Sequence, residues 1–527
     1  MGTPTVRRGS DQFFTTLYEG NGEGRKVGSF LPFTADGTIT NSCIFNSGDS
    51  AYLTRTPSSS GSGTTFTVSL WFKIGKVGHS GDLFGNSPSG SAASIFYLTH
   101  YSDNTILVHG FNTGGSFSLN LQTNRTFENS SKWYHLVCAV DTTQASSTNR
   151  VKLYIDGDQI TSFSATTYPG QNDNFGTNQS SIPQQIGRYN YDGTRYHDGY
   201  IAEANMVDGT ALTPSTFGVT DTTTGRWIPK TLSGITYGTN GFRLAFGSAA
   251  ALGTDTSGQS NNFTPTNLST TDQTTDSPTT NHNTFSSFAS GTSATQGNLT
   301  TSTGTTNGDT QCVAQPAFGV ATGKWYWEAK ITTVGAGLYG WKDDANAGGS
   351  QAVNNSSNGT HNTNNFAGAL STGSSGQYSA GSWFIDGGYT NEVNYTTVST
   401  NDVFMFAIDL DNRKGYCGKN GTWFNSANPA NGTGDIGGCE FADGVNKFYP
   451  MARRLDPNSV AEYNFGQRSF AYTPPTGFSS LSQDNLPESN KEIPDLIWIK
   501  NRDATDNWQV YDSTRGPRLD LSTNTTD

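Results

Sequence analysis

The chain has 527 residues, a net charge of −12 and only 14% charged residues, against the ~25% usual for soluble proteins. No dense Lys/Arg stripe supplies the phosphate neutralisation that nucleic-acid binding needs, and no run of about 18 apolar residues is present to insert in a membrane. The 62 glycines and 12% aromatics, with abundant Thr, Ser and Asn, suit sheets joined by many turns, and the length leaves room for two to four domains at roughly 150 residues each.

Residues 1–28 carry Arg7-Arg8 and a polar GNGEGRK run without alternation, so they read as an N-terminal arm. From there strand patterns begin. TFTVSLWFKI over 65–74 alternates strongly, a further strand lies around Ser94 to Leu98, and Trp133 to Ile160 contains two more. In the second of these Val151, Leu153 and Ile155 share one face and Lys152 and Tyr154 the other, and Asp156-Gly157 supplies the turn residues of a tight hairpin. A closing strand, GYIAEANMVDG, follows at 199–209.

This series, with LYIDG and DGYIAE as its most specific segments, resembles the laminin-G or concanavalin-A-like jelly roll over residues 29–215. The resemblance implies two antiparallel sheets packed face to face. The stretch from Ala211 onward, with ALTPSTFG, GTNGF and ALGTDTSGQSNNFTPTNL, is similar to a connector found after such jelly rolls in virion structural proteins of tailed bacteriophages, and residues 216–283 read as that connector. The Thr/Ser/Asn/Gly-rich stretch 269–310 predicts a hinge or loosely packed edge strands.

The alternation restarts at GKWYWEAKI, where Trp325 and Trp327 join the inward stripe together with Trp133 of the first half. With VFMFAIDLDNRKGYCGKNGTWF and FYPMARRL, this resembles a SPRY domain over 284–480, whose polar middle, 348–381, predicts long surface loops. Residues 481–527 hold one alternating strand, around Leu496 to Ile499, and read as a C-terminal docking segment. The fold class expected is therefore all-β, two tandem antiparallel β-sandwiches with an arm and a β-rich connector.

No catalytic residues are assigned. The closing strand offers Glu203, Asn205 and Asp208, which depart from the Glu-X-Asp-X-X-Glu of jelly-roll glucanases at two of three positions, and Glu203 reads as a satisfied surface residue. His135 reads as packed within its strand. The five cysteines have no metal or redox spacing and read as free buried thiols. No cofactor is expected; the laminin-G resemblance implies Asp49, Asp103 and Asp192 as candidates for structural calcium at the sandwich rim.

What remains is binding. Tyr189, Tyr191, Arg195, Tyr196 and His197 crowd one turn, where exposed aromatics beside hydrogen-bonding groups suit sugar faces and hydroxyls; the alternative is that the tyrosines cover the sheet end and Asp192-Gly193 makes the turn. Trp341, Lys342, Asp343 and Trp383 form a second candidate loop set. The resemblance implies a non-enzymatic virion protein of a tailed phage, of tail-fibre type. Such a protein would bind other virion proteins through residues 1–28, form a homotrimer and meet a host-surface glycan or protein, with no nucleic acid and no membrane insertion. Head fibre or capsid decoration protein is the close alternative; a cell-surface adhesin or a jelly-roll glycan hydrolase is the reading from another class.

Overall fold

The computed structural model describes residues 37–221, 225–285, 294–301, 319–335, 337–343, 366–370, 383–385, 388–390, 398–437, 439, 442, 447–454, 459–486, 496–499, 509–512 and 521–522. The N-terminal arm, most of 348–381 and Cys312 lie outside them. The protein is all-β: strands are joined by turns and single 3-10 turns, with no α-helix among the described residues.

The first sandwich opens with β1 (Ser42–Phe45), β2 (Tyr52–Arg55), β3 (Thr65–Ile74), β4 (Gly81–Asn86), β5 (Ile95–His100), β6 (Thr105–Phe111), β7 (Phe117–Thr126) and β8 (Tyr134–Asp141). It continues with β9 (Val151–Ile155), β10 (Asp158–Gln159), β11 (Phe163–Thr167), β12 (Gln184–Ile186) and β13 (Gly199–Asp208). Five short strands follow: β14 (Gly218–Thr220), β15 (Trp227–Pro229), β16 (Phe242–Leu244), β17 (Thr264–Thr266) and β18 (Gln273–Thr274). One antiparallel sheet, here the front sheet, runs β10-β9-β8-β3-β13-β1-β18, with β16 also on β13; the back sheet runs β11-β7-β6-β5-β4-β12-β2-β17.

Alternation decides which residues fill the space between the sheets. Phe66, Val68, Leu70 and Phe72 of β3 meet Phe96 and Leu98 of β5 and Val108 of β6 in one apolar core. The β9–β10 hairpin forms as its sequence requires: Val151, Leu153 and Ile155 are buried, and Asp156 and Gly157 take φ of 51° and 84°.

Segment 216–283, read as a connector, contributes β16, β17 and β18 to the two sheets, and Leu212, Phe217, Leu232, Ile235 and Tyr237 pack on the outer side of the front sheet. There Phe217 and Tyr237 bury Val137 and Val207, so Trp71 and His135 lie under cover although they face away from the main core. The predicted hinge is a correction where the structure describes it: Asp276, Ser277, Asn283 and Thr284 are fully buried. The short polar side chains of Asp276, Ser277 and Asn283 are consumed in hydrogen bonds, among them Asp276 with Lys73, which composition alone does not reveal.

The second sandwich comprises β19 (Ala294–Thr295), β20 (Thr300–Thr301), β21 (Lys324–Thr333), β22 (Gly337–Asp343), β23 (Phe366–Leu370), β24 (Trp383–Ile385) and β25 (Gly388–Thr390). It is completed by β26 (Val403–Asp409), β27 (Lys414–Lys419), β28 (Thr422–Trp423), β29 (Phe448–Arg454), β30 (Val460–Asn464) and β31 (Ser479–Ser480). Its sheets run β19-β20-β30-β21-β26-β27-β28, with β31 parallel to β21, and β25-β24-β23-β22-β29. Trp327, Trp341 and Phe406 pack between them, Trp327 stacked on Phe406 at 5.5 Å and edge-on to Trp341 at 6.2 Å. Further on, Leu496–Ile499, Gln509–Asp512 and Leu521–Ser522 form a three-stranded antiparallel sheet.

Cys43, Cys138 and Cys417 are free and buried, Cys439 is buried, and burial pushes the Cys43, Cys138 and Cys417 thiols up, which leaves them inert.

Candidate functional site

The loop between β12 and β13 folds back across the outer face of the back sheet. Its tip is closed by Asp192, whose Oδ1 accepts from the Thr194 N–H at 3.1 Å and from its hydroxyl at 2.5 Å, with Gly193 at φ 70°. Tyr189 and Thr194 bridge across this turn, the Tyr189 N–H donating to the Thr194 carbonyl at 3.0 Å. The turn-making role of Asp192-Gly193 is thus met, and the tyrosines are left on the flanks.

Beneath the loop, register fixes what the sheet presents. Gly85 of β4, Tyr97 of β5, His109 of β6 and Asn120 of β7 lie in one cross-strand row. Because Phe96, Leu98 and Val108 point inward, this row faces out. A Cβ at Gly85 would come within 2.1 Å of the Tyr97 ring, so glycine there lets the ring lie flat on the sheet. His109 stacks on Tyr97 at 5.5 Å, and the Tyr97 hydroxyl accepts the Asn190 N–H at 3.0 Å, which pins the loop.

Two guanidinium groups organise the rest. Arg195 lies 3.5 Å from the Tyr189 ring centroid and 5.7 Å from that of Tyr97, and Arg188 lies 3.9 Å from that of Tyr52. Arg188 is also held by Gln185 Oε1 at 3.1 Å and Asn190 Oδ1 at 2.9 Å. Arg195 Nη2 stands 3.6 Å from Asp82 Oδ2, beyond hydrogen-bond reach, and Arg195 Nε and Nη2, Asp82 Oδ2 and His109 Nε2 have no hydrogen-bond partner among the described residues. Burial raises the Asp82 carboxyl to about 7, against the lowering pull of Arg195 and of the Thr99 hydroxyl, which donates at 2.5 Å. Burial, and then the Arg195 charge, lower His109 to about 3; burial pushes Tyr189 up to about 12.

Four half-buried tyrosine rings, Tyr52, Tyr189, Tyr191 and Tyr196, therefore surround donors and acceptors with unused capacity. Rings of this kind cover the apolar face of a sugar, while the unpartnered Arg195 nitrogens beneath them are themselves buried beside Asp82. The structure brings Tyr189, Tyr191 and Arg195 together and sets Tyr196 against Tyr52. The set read from the sequence missed Tyr52, Asp82, Tyr97 and His109, which lie on other strands. Alternation in IFYLTH and TILVHGF places Tyr97 and His109 opposite core residues, but no local signal gives the register that joins them.

Other candidates are corrected. His197 is 1% exposed, packed against Phe45 under the loop, and burial lowers it to about 3, so it presents nothing to a ligand. Trp341 and Lys342 belong to β22 and not to a loop, and Trp341 is fully buried because alternation turns it into the second core. Asp343 ends β22 and Trp383 begins β24; their side chains lie outside the described residues. Asp49, Asp103 and Asp192 serve three separate turns, Asp49 accepting from Asn46 and Gln296, and Asp103 from Thr105 and Gln122. Among the described residues no group of three His, Cys, Asp or Glu side chains is placed to hold a metal ion.

The closing strand is also engaged. Glu203 is buried and paired with Arg243 at a β-bulge where Glu203 takes φ 47°, so it is not the surface glutamate expected. Asp208 accepts the Ser62 and Asn240 N–H groups at 2.7 and 3.0 Å.

Residues 46–216 match the model of the concanavalin A-like lectin/glucanases superfamily, of the laminin G type. Among solved structures the chain is similar to a candidate carbohydrate binding protein from Bacteroides ovatus, at 15% identity and TM-score 0.31, covering 44% of this chain and 58% of that one. It is also similar to the SPRY domain of human HERC1, at 16% identity and TM-score 0.20, covering 30% of this chain and 82% of that one. The CBM40 of the Ruminococcus gnavus IT-sialidase gives 16% identity and TM-score 0.23, covering 29% of this chain and 79% of that one. The chain thus spans less than two thirds of the Bacteroides protein. No curated protein matches the chain.

Proposed function

We propose that the chain is a non-enzymatic glycan-binding structural protein of a tailed-phage virion, of tail-fibre type, that uses the outer face of its first sandwich to attach to a host surface. The observation that carries the binding reading is the Tyr189–Arg195 pair on the Tyr97–His109 row, ringed by Tyr52, Tyr191 and Tyr196. The lectin/glucanase family model over residues 46–216 supports a sugar as the ligand. The non-enzymatic part rests on Glu203 and Asp208, whose oxygens are engaged by Arg243 and by backbone donors rather than presented as a free carboxyl pair. The virion part rests on the likeness of residues 216–283 to phage connectors, and a trimer joined to other virion proteins through residues 1–28 completes it.

Adsorption competition tests the reading. Host cells pre-coated with the purified chain take up fewer phage particles, and a chain carrying Tyr189→Ala and Arg195→Ala loses that block. Unchanged adsorption with the unaltered chain overturns the fibre role. Release of reducing sugar from host polysaccharide, abolished by Glu203→Gln, overturns the non-enzymatic part.

A further inference from the structure

Lys73, near the end of β3, points its ammonium away from the main core into a buried polar cluster. Its Nζ donates to Asp276 Oδ2 at 2.9 Å, Asn281 Oδ1 at 3.0 Å and the His282 carbonyl at 3.3 Å. Lys73 and Asp276 are fully buried and Asn281 is 8% exposed. Asp276 Oδ1 in turn accepts Trp133 Nε1–H at 3.0 Å and the His282 N–H at 3.3 Å, and the Tyr200 ring lies 5.4 Å from Nζ. Asn281 Nδ2 donates to the Ser131 carbonyl at 3.0 Å, which aims its oxygen at the lysine.

A primary amine held against an amide carbonyl, with a carboxylate on the same nitrogen and water excluded, is what a transamidation requires. We propose that Lys73 and Asn281 join in a spontaneous isopeptide bond, with Asp276 as the proton shuttle. Asp276 Oδ2 takes a proton from the Lys73 ammonium, leaving a neutral amine. The Nζ lone pair attacks Asn281 Cγ, after the side-chain amide turns about Cβ–Cγ, and gives a tetrahedral adduct. Asp276 hands its proton to Nδ2, the Cγ–Nδ2 bond breaks, and the adduct's Nζ loses its remaining extra proton to the departing group through the same carboxylate. The Cγ carbonyl re-forms, Asp276 is a carboxylate again, and one amide and one ammonium ion result, with no oxidant or co-reactant.

Burial lowers the Lys73 pKa against the raising effect of Asp276, which favours the neutral amine. Attack on Asp276 itself would expel water and need a second carboxyl group on the lysine; among the described residues none bonds it. The bond would link positions 208 residues apart and tie β3 to the segment that leads into the second sandwich. This inference stands apart from the glycan reading.

Mass spectrometry of the full-length chain tests it. The denatured protein is expected to weigh one ammonia less than its sequence, and a tryptic digest to contain one branched peptide joining the Lys73 and Asn281 segments. Asn281→Ala keeps the Lys73–Asp276 pair, so it is expected to fold and to show neither signal; Asp276→Ala is expected to fold less well and to lack the branch. Wild-type protein that is folded after prolonged incubation at neutral pH, yet yields only linear peptides, overturns the proposal. So does an ammonia deficit confined to a linear peptide, or a branch at Asp276 with loss of water.

Discussion

Trp227 Nε1 donates to His135 Nδ1 across 2.9 Å, with the two rings stacked at 18°. An indole N–H only donates, so Nδ1 is the bare nitrogen, and Nε2 carries the proton that goes to Ser69 Oγ at 2.9 Å. The contact therefore selects the neutral tautomer. Burial agrees, lowering His135 to about 3.

Acid lability follows from that contact. The unfolded His135 takes up a proton near its ordinary value of about 6.5, whereas the folded one resists down to about 3. Its contribution is whole above the unfolded value and is lost as pH falls between the two, by up to ~1.4 kcal/mol per pH unit. His109 and His197, both lowered to about 3 by burial, add with the same sign. Urea midpoints at pH 7.5 and pH 5 are expected to drop steeply, and less steeply in His135→Gln; parallel slopes would count against the assignment.

Trp227 also fixes two glycines. A Cβ at Gly157 or Gly218 would lie 2.5 Å from its ring, and Gly157 in addition needs φ 84°. Trp227→Ala removes the lid over His135 and is expected to cost about 3 kcal/mol, in the range of large-to-small core truncations. Gly157→Val is expected to destabilise by at least ~1 kcal/mol through strain and overlap. Both are read as shifts in the urea midpoint at unchanged m-value.

Local signals carried much of this fold. The β9 hairpin was legible because one strand's alternation and a two-residue turn suffice to specify it, and Trp325 and Trp327 were legible as core for the same reason. Trp341 was not: Gly340 before it and the polar, glycine-rich run after it read as a loop, while its partners Trp327 and Phe406 come from other strands. Lys73 and Asp276 were invisible for a plainer reason, since 203 residues separate them and each reads alone as a surface charge. The proposed binding face shows both cases at once. Tyr189, Tyr191 and Arg195 are neighbours in the chain; Tyr52, Asp82, Tyr97 and His109 join them only through sheet register.

In the second sandwich the buried carboxylate of Glu328 holds a chain crossing in place. It accepts the Ala471 and Tyr472 N–H groups at 2.8 and 2.9 Å and the Tyr326 hydroxyl at 2.8 Å. Glu328→Ala leaves three donors without an acceptor and is expected to cost about 3 kcal/mol, since each buried unsatisfied group carries a penalty of roughly 1–3 kcal/mol. Tryptic cleavage after Arg468, beside the released segment, is expected to accelerate, whereas cleavage within the first sandwich is not. Equal acceleration in both would mean that the carboxylate supports the whole chain rather than this crossing.

Surface and core aromatics separate the proposed binding face from the scaffold behind it. Tyr191 lies 5.8 Å from Tyr189 at the rim and is half-buried, so Tyr191→Ala removes stacking area while leaving the Tyr97–Asn190 pin intact. Loss of one stacking ring is expected to weaken glycan binding about tenfold, which corresponds to ~1.4 kcal/mol, without moving the urea midpoint. Trp341→Phe does the reverse: it opens a gap beside Trp327 and Phe406, costs stability, and leaves binding as it was. Glycan-array titration and urea unfolding of the two variants give this crossed pattern if the outer face of the first sandwich is the site. A binding loss in Trp341→Phe with the first sandwich still folded would instead move the site to the second sandwich.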